Sequence, residues 1–550
     1  MKLANSKHTA ALCLVPLLMI PLCHAQGDGS ELDKLKARLA EQQSQIDSLQ
    51  KSLADTRKAM DGIAKSSSEP AAAPGYRKLG GDLASTNPVL APPPPPAPRP
   101  ALAPPADAPV SVSSPLQLKI GDTTIQPIGF MDLTGEWKDK NAGGHIGTNF
   151  GNIPYNTAAT AKLSEFRFSP QNSRIGFRVD GNWKGIHFIG YNEFDFLGTS
   201  GGNNMSVSNG AFVPRIRLYW LDMRKGQWEF LAGQSWSMLT PNRKGMSALP
   251  GDLFYTQVID VNYVAGLPWD RQPGMRVLYH PTDKVTFGLS LENPDQYMGG
   301  SAGGSSVVLP SALSGLAATQ VDNQTNTQTT PNLHPDIIAK LAFDPTSRVH
   351  FEIAGIERTF KTWNTTTGQP ASGKYSSKAG AGGSINANFE VVKNFRLFTN
   401  NFWSDGGGRY IFGQAPDLVV RADGSVSPIH SGGMVQGIEA TVGKVLLYAY
   451  YSGIYIGRNV AIDANGSSLV GYGYRGSANS QNRAIQELTF GFNQTIFKDG
   501  KLGAVNLMGQ YAYVTRDPWY VATNAPKATH DNTIFFNIRY TLPGGAPSAK

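Results

Sequence analysis

Residues 173–197 read SRIGFRVDGNWKGIHFIGYNEFDFL, and this stretch decides the fold. Ile175, Phe177 and Val179 fall on one face, and Arg174, Arg178 and Asp180 on the other. A period of two is the mark of a strand that is apolar on one side only. Asp180-Gly181-Asn182 reads as a turn. Alternation resumes over 185–197, with His187, Glu193 and Asp195 on the polar face. No charge interrupts the apolar face over 172–180.

The same texture runs from about residue 120 to the C-terminus. Near 127–138, Gly129, Met131, Leu133, Gly135 and Trp137 oppose Asp132, Thr134 and Glu136. Fifteen further segments follow: 165–180, 185–197, 214–224, 227–237, 271–281, 284–293, 335–344, 347–360, 376–390, 393–405, 430–443, 445–457, 484–497, 502–515 and 531–542. Each is near or above the ~9–11 residues that a tilted strand needs to cross a bilayer. Their connections alternate strictly. Tight turns such as Lys225-Gly226, Thr282-Asp283, Asp344-Pro345-Thr346, Gly443-Lys444 and Lys498-Asp499-Gly500 alternate with long loops beginning near 139, 198, 238, 294, 361, 406, 458 and 516. A soluble sandwich or propeller does not sort its loops by parity, whereas an outer-membrane barrel does. The expected class is all-β: a 16-stranded antiparallel transmembrane β-barrel over residues 116–550, preceded by an N-terminal α-helical coiled coil. The mean hydropathy of −0.25 fits, because only a barrel crosses a bilayer with every second residue polar.

Residues 1–25 form a secretory signal peptide. Lys2 and Lys7 precede an apolar run, Ala10 to Leu22, too short to span a membrane, and Cys23-His24-Ala25 offers a cleavage site. Both cysteines, Cys13 and Cys23, leave with it, which suits an oxidising compartment. Residues 26–65 carry a coiled-coil heptad pattern that favours self-association. Leu32, Leu39, Ile46 and Leu53 fall at a, and Leu35 and Leu49 at d, with polar Gln42 and Thr56 at two further d positions. Residues 66–115, with Pro92 to Pro96 unbroken, read as a semi-rigid Pro/Ala-rich spacer. The formal charge is +8. Two lysines go with the signal peptide and both N-terminal segments cancel internally, so +6 belongs to the barrel. That excess favours anionic cargo. No basic tract suggests nucleic acid.

The inner wall is the candidate site. Charges on the lipid face would cost ~2–4 kcal/mol at mid-bilayer, which sets the phase. In 214–224 the alternation sends Ile216, Leu218 and Trp220 outward and Arg215, Arg217 and Tyr219 inward. In 271–281 it sends Met275, Val277 and Tyr279 outward and Arg276 inward. Arg174, Arg178, Arg215, Arg217 and Arg276 are expected along one wall, facing Asp132, Glu193 and Asp195, so that separated signs set up a transverse field. Loop 238–270, with Arg243 and Lys244 and with apolar Leu249, Leu253, Phe254 and Val258, is expected to fold inward as the constriction.

The signal peptide, short coiled coil, Pro-rich spacer and 16-stranded barrel together resemble the DcaP-like outer-membrane porins. The segments that carry the resemblance are Ser173-Arg174-Ile175-Gly176-Phe177-Arg178, Leu231-Ala232-Gly233-Gln234-Ser235-Trp236-Ser237 and Gly406-Gly407-Gly408-Arg409-Tyr410. The resemblance implies a homotrimer in the bacterial outer membrane, with the coiled coil as its trimerisation segment in the periplasm, passing small anions, carboxylates and dicarboxylates among them. The chain departs from the pattern in running past its last strand, through Pro543 to Lys550.

Nothing in the sequence points to catalysis. The histidines show no metal spacing, and no cofactor or metal is expected. Gly380-Ala381-Gly382-Gly383 lies in an alternating strand with no helix or lysine after it, unlike a phosphate loop. The competing classes are a general-diffusion or sugar porin, a barrel hydrolase, and a structural anchor whose stalk meets the cell wall.

Overall fold

The computed structural model describes residues 114–544 apart from 145, 199–211, 300–305, 324–329 and 367–368, together with seven residues between 40 and 51. The chain divides into two compact units, Met1–Ala101 and Leu102–Lys550. In the first, Ala40, Gln43, Ser44, Asp47, Ser48, Gln50 and Lys51 are helical and exposed, and the Gln43 amide donates to Asp47 at 3.1 Å. All seven fall outside the a and d heptad positions. The expected core residues Leu32, Leu35, Leu39, Ile46, Leu49 and Leu53 lie outside the described residues, as do the signal peptide and the spacer up to residue 113.

In the second unit, sixteen spanning strands among the described residues form one antiparallel sheet. They are β1 (Thr123–Lys138), β2 (in two pieces, Glu165–Ser169 and Arg174–Trp183), β3 (Ile186–Gly198), β4 (Val213–Lys225), β5 (Trp228–Trp236), β6 (Arg271–Thr282), β7 (Val285–Glu292) and β8 (Asp336–Thr346). There follow β9 (Val349–Thr366), β10 (Gln369–Val392), β11 (Phe395–Asp405), β12 (His430–Val442), β13 (Val445–Ile456), β14 (Asn482–Asp499), β15 (Gly503–Pro518) and β16 (Thr529–Thr541). Each strand pairs with its neighbours in sequence. The sheet closes where Phe130–Lys138 of β1 pairs with Thr533–Thr541 of β16. β2 breaks after Ser169, because Pro170 has no N–H to give the ladder. Both pieces still pair with β1.

Two connections differ from expectation. The β2–β3 turn does not lie at Asp180-Gly181-Asn182. The strands pair on to Trp183↔Ile186, and the tip is Lys184-Gly185, both with positive φ (49° and 77°). Such a two-residue turn matches the twist of a hairpin. The expected loop at 361–375 is also strand: β9 and β10 stay paired to Thr366↔Gln369 as a projecting hairpin.

The faces sort by polarity. Met131, Leu133, Ile175, Phe177, Met275 and Val277 are exposed outward, while Asp132, Thr134, Glu136, Arg178 and Arg276 are buried inward. β4 is the exception. Glu193 pairs with Leu218 but Phe194 pairs with Ile216, so Arg217 is an extra residue, a β-bulge. A bulge reverses the phase beyond it. Leu218 and Trp220 therefore point inward and are buried, while Tyr219 is exposed outward, the reverse of the alternation read from sequence. Gln234 of β5 steadies the bulge by donating to the carbonyls of Ile216 (3.4 Å) and Arg217 (3.1 Å). Opposite Trp220, three residues past the bulge, Gly233 takes φ +130°, and a Cβ there would stand 2.3 Å from the Tyr219 carbonyl oxygen. Only glycine fits that approach.

Gly233→Ala is expected to destabilise the barrel by about 1–3 kcal/mol, seen as a lower midpoint in heat-induced gel mobility shift. Gly226→Ala, at a turn with nothing within 4 Å, should shift it less. Equal midpoints for the two variants would remove the bulge from the account.

Candidate functional site: a loop-constricted lumen

The connection between β5 and β6 crosses the inside of the barrel. The backbone N–H of Met238 donates to Glu292 of β7 at 2.8 Å, and that of Asn242 to Glu352 of β9 at 3.1 Å. Lys340 of β8 donates to the Thr240 carbonyl at 3.0 Å. Arg243 then makes a two-pronged ion pair with Glu439 of β12, at 2.9 and 2.8 Å. The N–H of Gln257 reaches the Tyr450 hydroxyl of β13 (3.0 Å), and that of Ala265 reaches Glu487 of β14 (2.7 Å). Those of Ile259 and Asp260 share Gln510 of β15. Wall side chains from seven strands thus take up the polar groups of a loop that water would otherwise satisfy.

Apolar packing seats the loop. Leu249, Leu253, Phe254 and Leu267 join Leu218, Trp220 and Trp236 of the wall in one buried cluster. Each such side chain, fully buried, contributes about 1.5–3 kcal/mol. The bulge at Arg217 is what turns Leu218 and Trp220 toward the loop.

Between loop and wall remains a cavity of about 430 Å3. Its cationic lining is Arg174 of β2, Arg539 of β16 and Arg243 of the loop; its other polar lining includes Asp260, Tyr255 and Tyr263 of the loop and Asn172 and Asn493 of the wall. Arg174 and Arg539 both lie over the Phe130 ring, at 5.1 and 4.1 Å from its centroid. Arg539 is fixed by Asp132 at 2.7 Å. Arg174 is held more loosely, 3.5 Å from Glu193. Burial pushes the Asp260 carboxyl above the usual carboxylate range, although Thr148 and Asn262 amides donate to it. Glu439 holds the Arg243 guanidinium above its ordinary value, so it stays charged.

The sequence-expected residues separate into groups. Arg174 and Arg243 line the cavity. Lys244 is half-buried and does not line it. Arg217 is clamped by Glu193 (2.7 Å) and Asp195 (2.8 Å), and Arg215 by Asp195 (2.7 Å). Arg178 pairs with Asp180 two residues on, at 2.7 Å. Arg276 is buried in the field of Glu229, Asp222 and Glu292. Glu193 and Asp195 are the partners of Arg174, Arg215 and Arg217, and Asp132 is that of Arg539, so they form no opposite wall. The expected separation of signs is therefore absent: buried guanidinium must be paired within reach, and the nearest acids stand on the same or adjacent strands. Sequence reasoning missed Arg539, although Asn537 and Arg539 alternate with Ile538 and Tyr540 in the last strand. It had no means to find Phe130 beneath both guanidiniums.

A second buried network lies near the other loops. Arg358 of β9 bonds Asp336 of β8 and Asp417 of loop 406–429, both at 2.9 Å, and Arg409 bonds Asp336 at 3.1 Å. Phe412 of that loop stacks on Trp269 of the crossing loop, with centroids 4.7 Å apart.

A closed 16-stranded antiparallel barrel with its third long loop drawn across the lumen is the fold of outer-membrane channels. Among solved structures, the chain is similar to the outer-membrane channel DcaP of Acinetobacter baumannii, with TM-score 0.55 and 16% identity over 77% of this chain and 98% of that one. The fold is DcaP-like. Outer-membrane OmpT of Vibrio cholerae and Salmonella typhi OmpF in complex with daunomycin each give TM-score 0.41 at 10% identity, over 77% of this chain and 99% of theirs. The chain matches no protein-family model and no curated protein.

Arg243→Gln should loosen the loop by about 2 kcal/mol or more, since it strips Glu439 of its charge partner. The expected readout is a larger and noisier single-channel conductance. Glu439→Gln, which can still accept from Arg243, should change it less. Wild-type conductance in Arg243→Gln would mean the pair does not hold the loop across the lumen.

Proposed function

We propose that the protein is a porin of the bacterial outer membrane, a passive and non-enzymatic channel for small anionic solutes, carboxylates foremost. One observation carries this reading: the space left by the crossing loop is bordered by three guanidiniums against one carboxyl, Asp260. Guanidinium stays charged at any accessible pH and grips a carboxylate through two parallel hydrogen bonds. Arg174, the most loosely paired of the three, is the natural docking group. Release stays fast because Arg539 and Arg243 are already engaged by protein acids, so the field attracts without trapping. The barrel's net positive charge supports the same sign of selectivity.

In this reading the apolar outer wall meets outer-membrane lipid. The long loops face outward, and both chain ends of the barrel open on the periplasmic side. The protein works as a homotrimer, with residues 26–65 as a periplasmic stalk that reaches toward the cell wall.

Reversal potentials in a salt gradient across planar bilayers test the selectivity. Arg174→Gln is expected to shift preference toward cations, and Asp260→Asn to strengthen preference for anions. If both variants kept the wild-type reversal potential, the cavity charges would not be the filter, and a general-diffusion pore would be the better account. Deleting 26–65 should lower the heat resistance of the trimer while leaving the pore conducting. A monomer in detergent with the stalk intact would refute the assembly.

A further inference from the structure

Tyr263 has φ +59°. A left-handed backbone is strained for a non-glycine residue, and a bulky aromatic is seldom found there. Its neighbour Asn262 would tolerate that conformation better, but Asn262 is committed elsewhere. Its N–H donates to Asp260 at 2.7 Å and its side chain to the Thr148 carbonyl at 3.0 Å. The turn is closed by the Tyr263 N–H to the Asp260 carbonyl at 3.0 Å. The strain falls on the one residue of the turn whose ring is held by other rings. Tyr263 stacks on Tyr255 with centroids 5.5 Å apart and planes 14° apart, and meets Trp269 edge-on at 5.0 Å. Both tyrosines line the cavity that also holds Arg174 and Arg539. Neither phenol has a hydrogen-bond partner among the described residues, so the loop is built to place rings, not hydroxyls.

We propose that Tyr255 and Tyr263 form an aromatic subsite which, together with Arg174 and Arg539, makes the channel select carboxylates bearing a flat aromatic ring over saturated carboxylates of the same charge and size. This rests on the porin reading and adds to it. A guanidinium takes the carboxylate while the solute ring packs offset or edge-on against the tyrosine pair. Both contacts are made in the same confined space, so a solute with both groups gains from both. The aromatic contact corresponds to a preference of roughly three- to tenfold.

The test uses the full-length channel in planar bilayers, comparing benzoate with cyclohexanecarboxylate for permeability and for block of chloride current. Wild type should favour benzoate by that margin. Tyr263→Gly, which removes the ring and relieves the backbone, should abolish the preference. Tyr263→Phe should keep it, and Tyr255→Leu, as a second variant, should weaken it. Equal treatment of the two acids by wild type, a preference that survives Tyr263→Gly, or its loss in Tyr263→Phe would each overturn the proposal. A channel with no anion preference in potassium chloride would instead overturn the porin reading beneath it, and that measurement is made first.

Discussion

A backbone N–H or C=O in hydrocarbon has no water to turn to, so each must be paired within the protein. The seam between β1 and β16 is where this constraint is met. Its nine paired residues, Phe130–Lys138 against Thr533–Thr541, leave the sheet no edge. Closure gives the strands one face toward the outside and one toward the lumen. It also brings Asp132 of the first strand onto Arg539 of the last, so the seam that completes the fold also builds one wall of the cavity.

The reversal of that alternation in β4 matters most for the lumen. One extra residue at Arg217 turns Leu218 and Trp220 inward, giving the crossing loop an apolar seat that a regular strand would have directed at lipid. Gly233 and Gln234 across the ladder accommodate the bulge, the first by having no Cβ and the second by satisfying two displaced carbonyls. The crossing loop then exchanges water for wall side chains along its length. Inside a barrel this is the economical solution: the wall already projects polar groups inward, and the loop carries backbone groups that need them.

Charge in the lumen follows the same logic. Most inward arginines are held by acids across the ladder on a neighbouring strand, as Arg215 and Arg217 are by Asp195, and the field at the cavity comes from the few that are less completely matched. Arg174 stands out because its nearest acid, Glu193, is shared with Arg217, which binds it more closely (2.7 against 3.5 Å). Competition for one carboxylate, more than the number of arginines, leaves a guanidinium available to a solute.

The sequence by itself determined the class of fold and the number of strands. These depend on local periodicity and turn chemistry, which a chain carries at each position. It also placed Arg174, Arg178 and Arg276 on the inner face, because a charge facing lipid is too costly. Only the tertiary structure decided which of those arginines remain available. Pairing is a matter of distance across strands, as when Arg539 meets Asp132, 407 residues apart in sequence. Only the structure revealed the bulge that reverses β4, since one extra residue is visible only against the register of a neighbouring strand. Tyr263 is the furthest case: its backbone conformation is imposed by its own bond to Asp260, by the anchoring of Asn262 to Thr148 and by the surrounding rings, and nothing in its own neighbourhood of sequence announces it.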